Sequence, residues 1–195
     1  MGWAFYGFFK KQQRMIMNSK DVIDFWFEEL TPKDWWTKNL ALDQKIKTRF
    51  ADLHAKAHRE ELAPWRANDM GRLAEIIVLD QFSRNMYRDD ARAFASDELA
   101  SRLAQEAVAV GAFDRLSQPH SPFLIMPYMH SESPEVHGLA VPLFVILENS
   151  NQLDFELRHK AIIDQFGRYP HRNGMLNRVS TKAEIEFLQQ PGSSF

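Results

Sequence analysis

A chain of 195 residues is sized for one domain with a sizeable core, and 45% hydrophobic with 26% charged residues is an ordinary globular composition. The formal net charge of -2 argues against a dedicated nucleic-acid binder, which needs a basic excess. The absence of cysteine excludes a disulfide framework, a thiolate metal site and a cysteine nucleophile, and it fits a reducing cytoplasm.

Residues 1–18 read as an extension outside the core. An aromatic run, Trp3-Ala4-Phe5-Tyr6-Gly7-Phe8-Phe9, is followed by Lys10, Lys11 and Arg14. A secretory signal places its positive charge first, the reverse of this order. A transmembrane helix needs roughly 20 apolar residues, so no spanning segment is expected here. Tyr6 stands where the myristoylation pattern requires Ser or Thr. The run is either a surface anchor for a membrane or partner, or an upstream extension to a domain beginning near Met15 or Met17. The extension is the favoured reading.

From there the sequence reads as helical. Ser19 is placed to cap a helix through Val22, Ile23, Trp26 and Phe27. Thr31-Pro32 restarts the chain with a proline suited to a first turn. Leu42, Ile46, Phe50, Leu53 and Ala57 recur at helical spacing and stop before Pro64. Asn68 or Asp69 caps a helix through Leu73, Ile76, Ile77 and Phe82; Ser96 caps another that Gly111 ends. Pro119, Pro122 and Pro127 predict short helices and exposed backbone. Ser133-Pro134 opens a helix to Glu148, kinked at Pro142. After a turn at residues 149–151, Leu153, Leu157, Ala161 and Ile162 lead to position 164. Thr181 with Glu184 forms a capping box, and residues 191–195 make a frayed tail. Val141 to Leu147 admits a buried strand, but a β-rich fold needs several more. The expectation is a single all-α domain over residues 19–190, of antiparallel hairpins stacked compactly. The tetratricopeptide consensus, at roughly 34 residues per repeat, is not visible.

One motif occurs twice. Asp80-Gln81-Phe82-Ser83-Arg84 recurs as Asp164-Gln165-Phe166-Gly167-Arg168, and Arg88 aligns with Arg172. This suggests two related halves. On a helix, Asp80 shares a face with Arg84, and Asp164 with Arg168. Either these are Asp–Arg bridges locking the halves, or Arg84 and Arg168 converge on one anionic ligand with the acids and Gln81 and Gln165 orienting them. Guanidinium suits carboxylate or phosphate because its fork bonds them bidentately.

Further donors crowd residues 168–178, where Arg168, Arg172 and Arg178 keep company with His171, Asn173 and Asn177. This is either a loop pinned to helix ends or an anion pocket in which His171 transfers a proton. Met129-His130-Ser131-Glu132, with His137 beyond, offers His130 and Glu132 as polar groups of a site. Their spacing matches no strong metal motif, and Ser131 lacks the glycines of a nucleophile elbow. Trp26, Trp35, Trp36 and Trp65 read mainly as interface fillers. His54 and His58, four apart with no third ligand nearby, read as surface or interface residues.

Together Asp24 to Phe27 (Asp-Phe-Trp-Phe), Trp35-Trp36, Leu79 to Asn85, Met129 to Glu132, Tyr169 to Asn173 and Ser180 to Glu184 resemble the bacterial domain-of-unknown-function family 924. The resemblance spans roughly residues 19–190 and implies an all-α fold of the tetratricopeptide-like superfamily, with no activity attached. The family pattern usually has Gly where this chain has Asn177, a departure bearing on the local turn.

Two classes of function remain. In one, Arg84, Asn85, Arg168, Arg172 and Asn173 hold an anionic small molecule between the halves, with His130, His171 or Glu132 supplying acid/base or hydrolytic chemistry. In the other, the polar motifs are structural and the helices are a scaffold for a protein partner. Neither calls for a cofactor, a metal or nucleic acid. Whether the protein is an enzyme stays open at this point.

Overall fold

In a computed structural model describing residues 17–194, side-chain caps set where most helices begin. The expectations on residues 1–16 lie outside the described residues. α1 (Ser19–Asp24) is capped one residue earlier than expected: Asn18 Oδ1 accepts from Lys20 N at 2.9 Å, and Asp21 accepts from Asn18 N at 2.7 Å. It runs into a wider π-helical turn, Phe25–Glu29. Thr31 and Asp34 form a capping box on α2 (Pro32–Trp36), and Asn39 caps α3 (Leu40–His58). Asn68 caps α4 (Asp69–Ile77), which passes through a second π-helical turn, Val78–Phe82, into α5 (Ser83–Met86). Gly71 is needed where Trp65 crosses α4, because a Cβ there would lie 2.0 Å from the Trp65 carbonyl oxygen.

α6 (Asp97–Ala109) follows Ser96, whose hydroxyl makes no cap bond and meets His58 Nδ1 at 3.0 Å instead. Gly111, at φ +75°, separates α6 from α7 (Ala112–Arg115). The proline-rich stretch, expected to expose backbone, is α8 (His120–His130), and every residue from Ser121 to Met129 is buried. Its apolar character on all sides is that of a central helix: it packs on α4, α6, α7, α9 and α10. α9 (Pro134–Ile146) contains residues 141–146, so that segment is helical, and the helix runs on through Pro142. α9 and α10 (Ser150–Phe166) pack together across a short turn, and α11 (Lys182–Phe187) keeps the Thr181–Glu184 capping box. No strand occurs among the described residues. Near the tail, Ser193 is buried and its amide donates to the Gln190 carbonyl at 3.3 Å.

The core gathers around Phe25, Trp26, Phe50 and Phe82, whose rings meet edge-on or tilted. Trp35 joins it through an indole N–H donated to the Trp26 carbonyl at 2.9 Å, while Trp36 stays exposed, stacked on Phe123. Leu139, Val145 and Ile146 are exposed on α9, and Phe155 and Leu157 on α10.

Candidate functional site

The second π-helical turn carries the first motif copy into the interior. Asp80 is 1% exposed. Gln81 Nε2 donates to Asp80 Oδ2 at 2.6 Å and approaches Met126 Sδ at 3.2 Å. Arg84, one turn on, lies 3.0 Å from Asp80 Oδ1 and donates to the Asp80 carbonyl at 2.9 Å. Its two terminal nitrogens are engaged by Asp97, the first residue of α6, at 3.0 Å each. Arg172 reaches the same carboxylate at 2.9 Å and the His130 carbonyl at 3.1 Å. The Arg172 guanidinium lies 4.5 Å from the ring centres of both Phe94 and Tyr169. Two arginines therefore do converge on one anion, but the pair is Arg84 with Arg172, and the anion is Asp97.

His130, the last residue of α8, sets its Nδ1 2.7 Å from Asp80 Oδ1. Burial would raise the Asp80 pKa, but the charge of Arg84 and the His130 contact hold it well below the usual carboxylate range. Burial, reinforced by Arg84, lowers the His130 pKa. An ionised Asp80 then faces a neutral imidazole, so the proton sits on Nδ1 and Nε2 keeps its lone pair. Nε2 has no hydrogen-bond partner among the described residues, and the side chain is 15% exposed.

Glu132, two residues on, is clamped rather than free. Its carboxylate accepts from both terminal nitrogens of Arg178, at 2.6 and 2.9 Å, and from the Tyr169 amide at 2.8 Å. Burial works against its charged form, yet Arg178 and that amide hold its pKa below the ordinary value. Asn177, the residue before Arg178, adopts a left-handed φ of +53°. That is a conformation for which glycine is best suited and asparagine next, which accounts for the departure from the family pattern. The His171 ring tilts over Tyr169 with centroids 5.5 Å apart, and burial, then Arg172, brings its pKa to about 4. Tyr169 donates its hydroxyl to the Met129 carbonyl at 2.6 Å.

Other residues singled out from sequence lie elsewhere. Asn85 donates to Asp43 on α3 at 2.8 Å, beside the Arg88 fork. Asn173 is buried and donates to Ser180 at 3.0 Å. Arg168 grips Glu184 at 2.6 and 2.8 Å and the Val179 carbonyl at 2.9 Å. Asp164 and Gln165 are exposed, and Asp164 pairs with Lys160 at 2.6 Å instead of with Arg168. The expected Asp164–Arg168 bridge does not form because Gly167, at φ +67°, ends α10 and takes Arg168 off the helix. His137 is wholly buried against Glu156 at 2.7 Å. Among the described residues, no three His, Asp or Glu are grouped to hold a metal. His54, read from sequence as a surface or interface residue, is buried, 2.7 Å from Ser83 Oγ. Asp97, Glu156 and Glu184 were not legible as site residues: an acid at a helix start, like Asp97, reads as ordinary helix-end electrostatics.

These features define an all-α protein in which buried Asp–His and Arg–carboxylate contacts tie the junction of α5, α6 and α8 to the segment after α10. The chain belongs to the family described as bacterial protein of unknown function (DUF924), whose family model matches residues 22–192. It is also similar to a solved structure described as a protein of unknown function, ATU0120, from Agrobacterium tumefaciens. That chain is 35% identical, the match covers 88% of this chain and 96% of that one, and the TM-score is 0.84. Comparison with curated proteins gives no match. No helix among the described residues is long and apolar enough to cross a membrane.

Proposed function

We propose that this protein binds a small anionic molecule beside His130 and carries out acid/base chemistry on it. The observation behind this reading is the 2.7 Å contact between His130 Nδ1 and a buried, ionised Asp80, which leaves Nε2 as the basic nitrogen. Asp80 is the orienting group, as a carboxylate behind a general base fixes its tautomer and stabilises the imidazolium formed on proton uptake. Burial, reinforced by the Arg84 charge, keeps His130 neutral at rest. Arg84, Arg172 and Arg178 lie around the site, each paired with a carboxylate. The cysteine-free composition fits a reaction in a reducing cytoplasm.

The test is a thermal-shift screen of carboxylated and phosphorylated metabolites on the native protein and on His130→Gln. Stabilisation by a metabolite, with turnover of it lost in His130→Gln while the variant still folds, is the expected outcome. A metabolite converted equally well by the folded variant would end this reading.

A second reading, a tetratricopeptide-like scaffold for a protein partner, is favoured by one observation: Arg84, Arg168, Arg172 and Arg178 are all paired with carboxylates, while α9 exposes Leu139, Val145 and Ile146. In that case Arg84→Ala loses stability and no metabolite produces a shift.

A further inference from the structure

α9 is apolar on every side yet lies at the surface. From Val136 to Leu147 it carries no Asp, Glu, Lys or Arg. A helix of that kind is normally covered all round. Its inner face is covered, since His137, Ala140 and Phe144 are buried. Its outer face is not. Leu139, Pro142 and Ile146 recur at three and four residues and so form one stripe, which Gly138 and Val145 widen, and all five are exposed. A Cβ at Gly138 would meet nothing within 4 Å. At the Ile146 end the stripe opens into a cleft of about 260 Å³, lined by Phe113, Leu116, Ile146 and Leu147. That is smaller than the roughly 300–1,000 Å³ of small-molecule sites, and it suits one large anchoring side chain.

Uncompensated acids surround the stripe. Glu135 falls one turn before Leu139 on the same face, Glu148 follows the helix, and Asp114 edges the cleft. Among the described residues none of the three makes an ion pair. Glu135 accepts from the Ser133 hydroxyl at 2.6 Å, and Arg115, next to Asp114, is held by Asp69 at 2.8 Å. This rim selects the occupant. Two copies of α9 paired about a twofold would set acidic ends against acidic ends, and an anionic membrane would be repelled as well. An apolar stripe between carboxylates is complementary to an apolar helix face between Lys or Arg. We propose that the outer face of α9 docks a helical segment of a protein partner, apolar along one side and basic at both ends, with one large side chain in the cleft. The inference rests on the scaffold reading and is independent of chemistry at His130.

The experiment titrates the full chain into dye-labelled synthetic peptides and reads fluorescence anisotropy. Both peptides carry leucines and one tryptophan along a single helical face. One has lysines at its ends and the other glutamates. The lysine peptide should bind saturably and at least about tenfold more tightly than the glutamate peptide, and added salt should weaken it. Val145→Asp puts a charge in the stripe without entering the core and should abolish binding. Glu135→Gln together with Glu148→Gln should erase the preference for lysine. All three positions are exposed, and melting temperatures check that the variants fold. Equal binding of both peptides by the native chain would overturn the basic partner while leaving the scaffold reading standing. Binding unchanged in folded Val145→Asp would overturn the docking face. A native dimer that Val145→Asp converts to monomer would assign the face to a second copy instead. No saturable binding of either peptide would sink the docking face and the scaffold reading together.

Discussion

Asp80 is buried between Arg84 and His130, whereas Asp164, at the same place in the repeated motif, is exposed and pairs with Lys160. The arginines diverge likewise. Arg84 closes on Asp97 across to α6, while Arg168 leaves its helix and closes on Glu184 of the final one. The two segments share Asp, Gln, Phe and Arg at the same spacing, so the difference comes from what surrounds them. In the first, the chain continues through a π-helical turn into α5; in the second, Gly167 stops the helix. A short motif fixes which groups are available, and the backbone on either side fixes what they meet.

The largest effect should come from the buried copy. Asp80→Asn leaves Arg84 and His130 without their shared anion, and a broken buried pair costs about 3 to 5 kcal/mol. Chemical denaturation should show that loss, and a change near zero would mean the first copy is no more structural than the second. Acid should discriminate next. Burial, then the Phe155 carbonyl contact acting in opposition, leaves the His159 pKa at about 3, and burial with Arg172 puts His171 at about 4. Both lie below the unfolded value of about 6.5. Between those limits the unfolded chain binds protons that the folded chain refuses, so stability is full above about pH 6.5 and declines as pH falls towards 4. Melting temperatures from pH 8 to 4 should trace this decline, and Asp164→Asn should leave the curve's shape unchanged. Smaller still, Arg168→Ala should lower the melting temperature by a few degrees through the loosened α11. The Asp164→Asn exchange itself should change stability by less than about 0.5 kcal/mol, because it breaks only an exposed pair with Lys160.

The all-α fold was legible because its boundary signals are local. Asn68, Ser133 and Thr181 with Glu184 each bind backbone within three residues, so four-letter patterns carry them. The site was half legible. Asp80, Arg84, His130 and Arg172 were singled out, yet their grouping depends on Asp97, which is 75 residues from Arg172 in sequence. No spacing rule reaches that far. Repetition also misled: equal letters suggested equal partners for Arg84 and Arg168, but pairing follows tertiary neighbours. α8 misled in another way, since Pro119, Pro122 and Pro127 signalled short helices and exposed backbone. Pro119 precedes the helix and Pro122 lies in its first turn, where proline is tolerated, and the burial of Pro127 within the helix is set by packing that a sequence window does not contain.

The wide turn at Val78–Phe82 has a consequence for how the gene can vary. A π turn holds one residue more than a turn of the α-helix around it. Deleting one of these five codons would let the helix close to regular pitch, because four α-helical residues turn the chain through about the same angle as the five π-helical ones. Arg84 would keep facing Asp97, and Asn85 and Arg88 would keep facing Asp43. In the regular helices a one-residue deletion would instead rotate everything after it by about 100°, so this turn is where the chain best absorbs a change in length.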